Sequence, residues 1–482
     1  MKKIMTRLLS LVLLGTFIPS FVLAADWDLD KGDITVSATV ESQTVSQAGG
    51  SSTVDNNPVI TSSSGKTNNT VIITAEKNAT ANVTLENVNI DTGTTDEAAI
   101  TTSGEGNVNI ELNGTNTVQS GNTHAGVEKK DNGTLTITDE NKDGSLTATG
   151  GNYGAGIGGG YEGSGSNIAI EGGKVKAIGG THGAGIGGGF GGSGSNIAIE
   201  GGKVEASSVG GGAGIGGGSL GSGSNIAVSG GEVTAQGGVG GAGIGGGQGG
   251  SGSNITISDG KVTATGAGAG AGIGGGYEGS GKGITIEGGE VTAQGDTGGA
   301  GIGGGANGTG SDVTISGDAQ VKVQGGRANE NWHKGAAIGN GGTSTTDGNE
   351  VSPNTSDLTV EGSIQIYEPG KNINTDTPDR TIEGQKGDHS WNAGEVTAET
   401  VPESKAAAYW VSDSQGQSIP YQAQQKDGVL TVTVQADTAS LRGTTGSLRQ
   451  LEAQGIAEIR FVTKGAQSAF TLADLLASGT GS

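Results

Sequence analysis

The chain has 482 residues, 101 of them glycine and none cysteine, and a formal charge of −23. Aromatic residues are only 3% of the total, which excludes a thick globular core, and without disulfides the fold must rest on packing and hydrogen bonds. The acidity argues against a nucleic-acid partner, whose binding needs clustered Lys and Arg.

Lys2, Lys3 and Arg7, the apolar run Leu8 to Val22, and Val22-Leu23-Ala24 follow the layout of a secretory signal peptide cleaved before Ala25. The apolar run is shorter than the ~20 residues of a spanning helix, and no later stretch approaches that length. The expectation is a secreted, extracellular protein, free or held at the cell surface, with no transmembrane segment in the mature chain. Loss of residues 1–24 takes the charge from −23 to −26. Residues 25–95 read as irregular N-terminal coils and a cap, with strands at Val71-Ile72-Ile73 and Val83-Thr84-Leu85.

Residues 96–366 hold the dominant signal. Ala-Gly-Ile-Gly-Gly-Gly recurs with its Ile at 157, 186, 215, 244, 273 and 302, a constant step of 29 residues. Degenerate copies sit at Ile100, Val127 and Ile338. A fixed period in this range signals a solenoid. Each unit contains two alternating runs, such as Ile168/Ile170 and Val175/Ala177, whose apolar residues point inward from strands. The Ala-Gly-Ile-Gly segment supplies a third strand, and glycines make the corners. The fold class is therefore all-β: a right-handed parallel β-helix with a small C-terminal α+β module. Eight steps from Ile100 to Ile338 imply about 38 Å of rod at ~4.8 Å per coil. Asn167, Asn196, Asn225 and Asn254 share one register and read as an asparagine ladder.

Residues 367–405 are rich in Asp, Asn, Pro and Gly and read as a linker. In 406–482 the pattern predicts strands at Val429–Val434 and Ile459–Val462, with helices at Ser447–Gln454 and Phe470–Ala477.

Several runs carry a resemblance. They are Val83-Thr84-Leu85-Glu86-Asn87-Val88, Ile110-Glu111-Leu112-Asn113-Gly114-Thr115-Asn116, His124-Ala125-Gly126-Val127-Glu128 and Gly144-Ser145-Leu146-Thr147-Ala148-Thr149-Gly150-Gly151. With the coils that follow, they resemble secreted Gram-positive β-helix proteins of the carbohydrate-binding-domain type, over roughly residues 70 to 345. The resemblance implies the β-helix and, as a partner, a polysaccharide or cell-surface glycan. Ser447-Leu448-Arg449-Gln450-Leu451 and Ile459-Arg460-Phe461-Val462-Thr463 resemble a module of large surface proteins of gut bacteria.

Candidate chemistry lies on the outward stripes. Four residues after each repeat Ile come Tyr161, Phe190, Ser219, Gln248, Tyr277 and Ala306, with Glu162 and Glu278 beside the tyrosines. Aromatic faces next to polar groups suit sugar rings, so Tyr161, Phe190, Tyr277, Glu162 and Glu278 are the candidate ligand-binding residues; packing over a Gly-rich corner is the competing reading. Lys174, Lys203, Glu232, Lys261 and Glu290 form a stripe of mixed sign, as in a solvated charge ladder. Gly154, Gly156 and Gly159 match a dinucleotide fingerprint in letters alone, because no strand–turn–helix context surrounds them.

Calcium is the one cofactor the acidity leaves open. Asp26, Asp28 and Asp30 alternate, but Lys31 and Ser37 stand where an EF-hand needs Gly and Glu. His124, His182, His333 and His389 share no register, and no nucleophile–base pair is visible. The expectation is a non-catalytic glycan-binding module; the alternative is a structural spacer or adhesin stalk presenting the C-terminal module.

Overall fold

A computed structural model describes residues 26–130, 132–344, 357–360, 362–383, 390–392, 409–412, 421–426, 428–434, 436–443, 451–452 and 455–478. The expected signal peptide and His389 lie outside these residues.

The 29-residue spacing becomes one turn of a right-handed parallel β-solenoid with three faces. A representative coil sends Gly194–Ile199 to the first face, Lys203–Ser208 to the second and Ile215–Gly216 to the third. Alternation within each run puts every second side chain inside, so Ile168 lies beside Ile197, Val175 beside Val204 and Ile186 beside Ile215. These six side chains are buried in one continuous core running the length of the solenoid. On the third face the inward column runs Ile34, Val71, Ile100, Val127 and on to Ile338. Those ten steps extend the expected rod toward the N-terminus and give about 48 Å at ~4.8 Å per coil.

Tight stacking explains the glycine after each repeat Ile. Gly158 has φ 135° and Gly187 φ 130°, and a Cβ at either would sit 2.0 Å from the carbonyl oxygen of the next glycine in the column. Only glycine satisfies both conditions.

The expected asparagine ladder is present. Asn196 donates to Asn167 at 2.9 Å, Asn225 to Asn196 at 3.0 Å and Asn254 to Asn225 at 3.2 Å. All four residues have φ between 51° and 56°, a conformation that Asn tolerates better than most residues. A second ladder was not anticipated: Ser222, Ser251 and Ser280 each donate a backbone N–H to the serine hydroxyl one coil earlier, at 3.4, 3.2 and 3.1 Å. The charge stripe stacks as expected, with Lys203 and Glu232 paired at 3.5 Å on the half-exposed surface.

Reversed strands close both ends. Gln43–Gln47 runs antiparallel to Ile34–Ala38 at the N-terminal end. At the other end Arg380–Glu383 runs antiparallel to Ser363–Tyr367, and Ser390–Asn392 to Asp357–Val360. The last two reversed strands fall in the stretch expected to be a linker. They arise because an open sheet edge with unpaired N–H and C=O groups invites edge-to-edge association.

In the C-terminal stretch a four-stranded sheet forms from Tyr421–Lys426, Val429–Val434, Glu458–Val462 and Gln467–Thr471. Helix Leu472–Ser478 follows, and the module has its own core around Val432 and Ile459. The helix starts two residues later than expected because Thr471 caps it. Its hydroxyl accepts the Asp474 N–H at 3.1 Å and donates to the Asp474 carboxylate at 2.6 Å. The helix expected at Ser447–Gln454 lies mostly outside the described residues; Leu451 and Glu452 are helical. No helix among the described residues is long and apolar enough to cross a membrane.

Candidate functional site at the first regular corner

Each regular coil turns from the third face to the first through a glycine-rich corner, and that corner carries the aromatic stripe. The Tyr161 N–H donates to the Thr123 carbonyl at 2.7 Å, and the Phe190 N–H to the Tyr153 carbonyl at 2.8 Å. Each corner residue thus hangs from the residue four before the repeat apolar position one coil earlier. Tyr161 and Phe190 stack at 5.8 Å between centroids, with 13° between planes. The supporting column contributes two more rings, Tyr153 and His182, of which sequence reasoning missed the first. Tyr153 packs edge-on against Tyr161 at 5.4 Å and against Phe190 at 5.9 Å. His182 stacks on Tyr153 at 5.2 Å, and its Nδ1 is buried with no hydrogen-bond partner among the described residues. Tyr161 remains 47% exposed, the only ring of the four left largely open to solvent.

Glu162 and Glu278 lie beside their tyrosines as expected, each with positive φ. The Tyr161 hydroxyl bonds to Glu162, which raises its ionisation above that of an ordinary phenol; Glu278 does the same to Tyr277. Tyr277, however, is not brought to the first pair. It sits three coils beyond Phe190, about 14 Å along the rod at ~4.8 Å per coil. Trp332 packs edge-on over it at 5.4 Å. The step from Ile302 to Ile338 is longer than a regular 29-residue coil, and the extra chain delivers that tryptophan. The aromatic corner positions therefore form two separate clusters.

The coil preceding Tyr161 differs in a way that matters. Val127 pairs with Ile157 and Leu135 with Ile168, so its corner is three residues shorter than the next one. Glu128-Lys129-Lys130 replaces Gly158-Gly159-Gly160. In the regular coil the Ala155 N–H donates to the Gly159 carbonyl at 2.9 Å; one coil earlier the Ala125 N–H turns to the Glu128 carboxylate at 3.3 Å. Glu128 is 3% exposed and also binds His124 Nδ1 at 2.5 Å and Lys130 Nζ at 2.7 Å. Where the longer corner overhangs the shorter, a groove of about 580 Å³ opens, lined by Thr123, His124, Glu128, Lys130, Asn132 and Tyr161 among others. Asp96 fixes the Thr123 rim by accepting its N–H at 3.0 Å and its hydroxyl at 3.1 Å, and these bonds hold the Asp96 carboxyl below the usual carboxylate range.

The alternating N-terminal aspartates have structural duties. Ser63 Oγ lies 2.6 Å from Asp28 and 2.8 Å from Asp30, and the Ser64 N–H donates to Asp30 at 2.5 Å. Both carboxyls are held below their usual range, chiefly by side-chain hydrogen bonds from Ser63 and Ser64 respectively. Among the described residues no three metal-ligating side chains gather at one point. His333 serves a loop, its backbone N–H donating to the Thr343 carbonyl at 2.9 Å.

Six consecutive stretches, 142–161, 168–190, 197–219, 226–248, 255–277 and 284–306, match the family described as Beta helix repeat. Each ends at the corner position occupied by Tyr161, Phe190 and their equivalents. Together with the stacked coils, these matches support a β-helix repeat solenoid over this part of the chain. No curated protein and no solved structure matches the chain.

Proposed function

We propose that this is an exported, non-catalytic carbohydrate-binding protein that holds a polysaccharide against the corner carrying Tyr161. The observation that carries the reading is the Tyr161–Phe190 stack, braced edge-on by Tyr153 and open to solvent at Tyr161. A ring fixed from behind offers its apolar face to sugar C–H groups at little entropic cost, while neighbouring carboxylate, amide and hydroxyl groups take the sugar hydroxyls. Anionic partners are disfavoured by the overall acidity, a net charge of −23.

Affinity electrophoresis through gels holding different polysaccharides tests this. One polymer class should retard the native protein. Replacing Tyr161 and Phe190 together by Ala should abolish most of that retardation while leaving the unfolding transition of the rod in place. Running the gels with calcium and with a chelator decides whether calcium takes part. The spacer reading draws on the uniform ladders and capped ends; the absence of retardation by every polymer would favour it.

A further inference from the structure

We propose that the groove under the Tyr161 corner is an end-on subsite for the terminal residue of a neutral glycan chain, recognised by the Glu128–Lys130 pair. This rests on the carbohydrate-binding reading and specifies how and where the sugar is held. Three observations carry it.

The groove is made by a step. On the N-terminal side the corner is three residues shorter, and on the other side Tyr161 and its corner rise as a wall. Phe190, one coil further on, covers one face of the Tyr161 ring at 5.8 Å. The opposite face therefore turns toward the shorter coil and into the groove, whose lining includes Tyr161. A chain approaching along the rod meets that wall, so a terminal ring fits against it while a continuing chain does not. The volume of about 580 Å³ lies within the range of ~300–1,000 Å³ typical of small-ligand sites.

The floor is charged, with Glu128, Lys129 and Lys130 all in its lining. Glu128 is almost wholly buried, held by the Ala125 N–H, by His124 and by Lys130, whose side chain is half exposed. A carboxylate and an ammonium 2.7 Å apart present an acceptor and a donor side by side. That arrangement matches two adjacent sugar hydroxyls, one donating and the other accepting. The net charge of −23 disfavours an anionic ligand, so a neutral glycan is the class that this donor–acceptor pair suits.

The pair is built in, not incidental. Glu128 stands in the register of Gly158, and its carboxylate replaces a backbone carbonyl as acceptor at the turn. The residues that shorten the corner are thus the residues that furnish its floor.

The test uses the full chain and the polysaccharide that retards it, drawn from soluble β-glucan, α-glucan, mannan and xylan, with polygalacturonate as the charged comparison. Partial acid hydrolysis of the retarding polymer multiplies chain ends at constant mass. End-on binding predicts that the fragments compete in proportion to their ends. Lys130→Met and Glu128→Gln should each weaken retardation about tenfold, and Tyr161→Ala should abolish most of it. Lys130→Met alters a half-exposed side chain, so it remains informative should Glu128→Gln prove unstable; circular dichroism checks both folds. Competition that follows total mass, undiminished retardation of Lys130→Met, or retardation by polygalacturonate alone would each overturn the subsite while leaving glycan binding intact. Absence of retardation by every polymer would overturn both readings.

Discussion

At the residue scale, the asparagine column shows how one side chain meets two demands. Asn225 has φ 52° and sits between Asn196 and Asn254, donating to one and accepting from the other. Asn225→Gly keeps the backbone conformation and removes only the ladder bonds. Asn225→Ala removes the bonds and, unlike Gly, keeps a Cβ at positive φ without the local polar compensation that Asn provides, a penalty of about 1–2 kcal/mol relative to Gly. Urea denaturation should therefore rank the wild type above Gly and Gly above Ala; an Ala variant as stable as the Gly variant would show that the left-handed backbone is not the constraint. Tyr161 gives a pH-dependent counterpart. Its hydroxyl bond to Glu162 favours the neutral phenol and moves ionisation above the ordinary value of 10.0. The contribution to stability is thus fully present below the unfolded-state pKa and is lost as pH rises through the higher folded-state value. Glu162→Gln should shift the Tyr161 titration, isolated by subtracting the ultraviolet titration of Tyr161→Phe, toward lower pH. Both features were legible in the sequence, because each is a local pattern repeated in register. Tyr153 was not, since the residue four before the repeat Ile is Gly at 211, 240 and 298 and reads as simple turn.

At the element scale, the corner is where coils differ, and it shows which glycines are obligatory. Gly187→Ala would put a Cβ 2.0 Å from the Gly216 carbonyl oxygen at φ 130°, and should cost about 3 kcal/mol or more. Gly191 also has positive φ, 72°, but a Cβ there meets nothing closer than Glu162 Cγ at 4.0 Å. The same column already holds Glu162, Leu220, Glu278 and Asn307, all at positive φ. Gly191→Asn should therefore lie within about 1 kcal/mol of the wild type by thermal unfolding. Equal losses for the two variants would mean that backbone conformation alone, and not coil-to-coil approach, sets the glycine requirement. The groove belongs to this scale as well. Its cause, eight residues from Val127 to Leu135 against eleven from Ile157 to Ile168, is visible by counting. What counting alone does not convey is that Glu128 folds back onto the Ala125 N–H, because in sequence Glu-Lys-Lys looks like an ordinary solvated charge run. Trp332 stayed hidden for a related reason: an insertion between registered positions carries no register of its own.

At the scale of the whole molecule, the rod is a stack in which each coil touches chiefly its neighbours, so stability should be a sum of coil and interface terms. Excising 197–225 tests this directly. The deletion joins Asn196 to Ile226, and every following residue falls into the column it already occupied. Lys174 then lies beside Glu232, which replaces the Lys203–Glu232 pair with one of the same sign pattern. Tyr153, Tyr161, His182 and Phe190 all remain, as does the groove formed by Thr123 to Lys130. The shortened protein should unfold cooperatively with modestly lower stability, lose about 5 Å of length by small-angle scattering, and keep its polysaccharide retardation. Excising 197–224 removes one residue fewer and joins Asn196 to Asn225. Every later side chain in that strand then shifts by one position, exchanging inward for outward. That variant should lose its cooperative transition or relax by bulging the strand, and the contrast between 29 and 28 residues is the sharpest expression of what the repeat encodes. If the 29-residue deletion also collapsed, coils would not be interchangeable units, and long-range coupling between the capped ends would have to carry the fold instead.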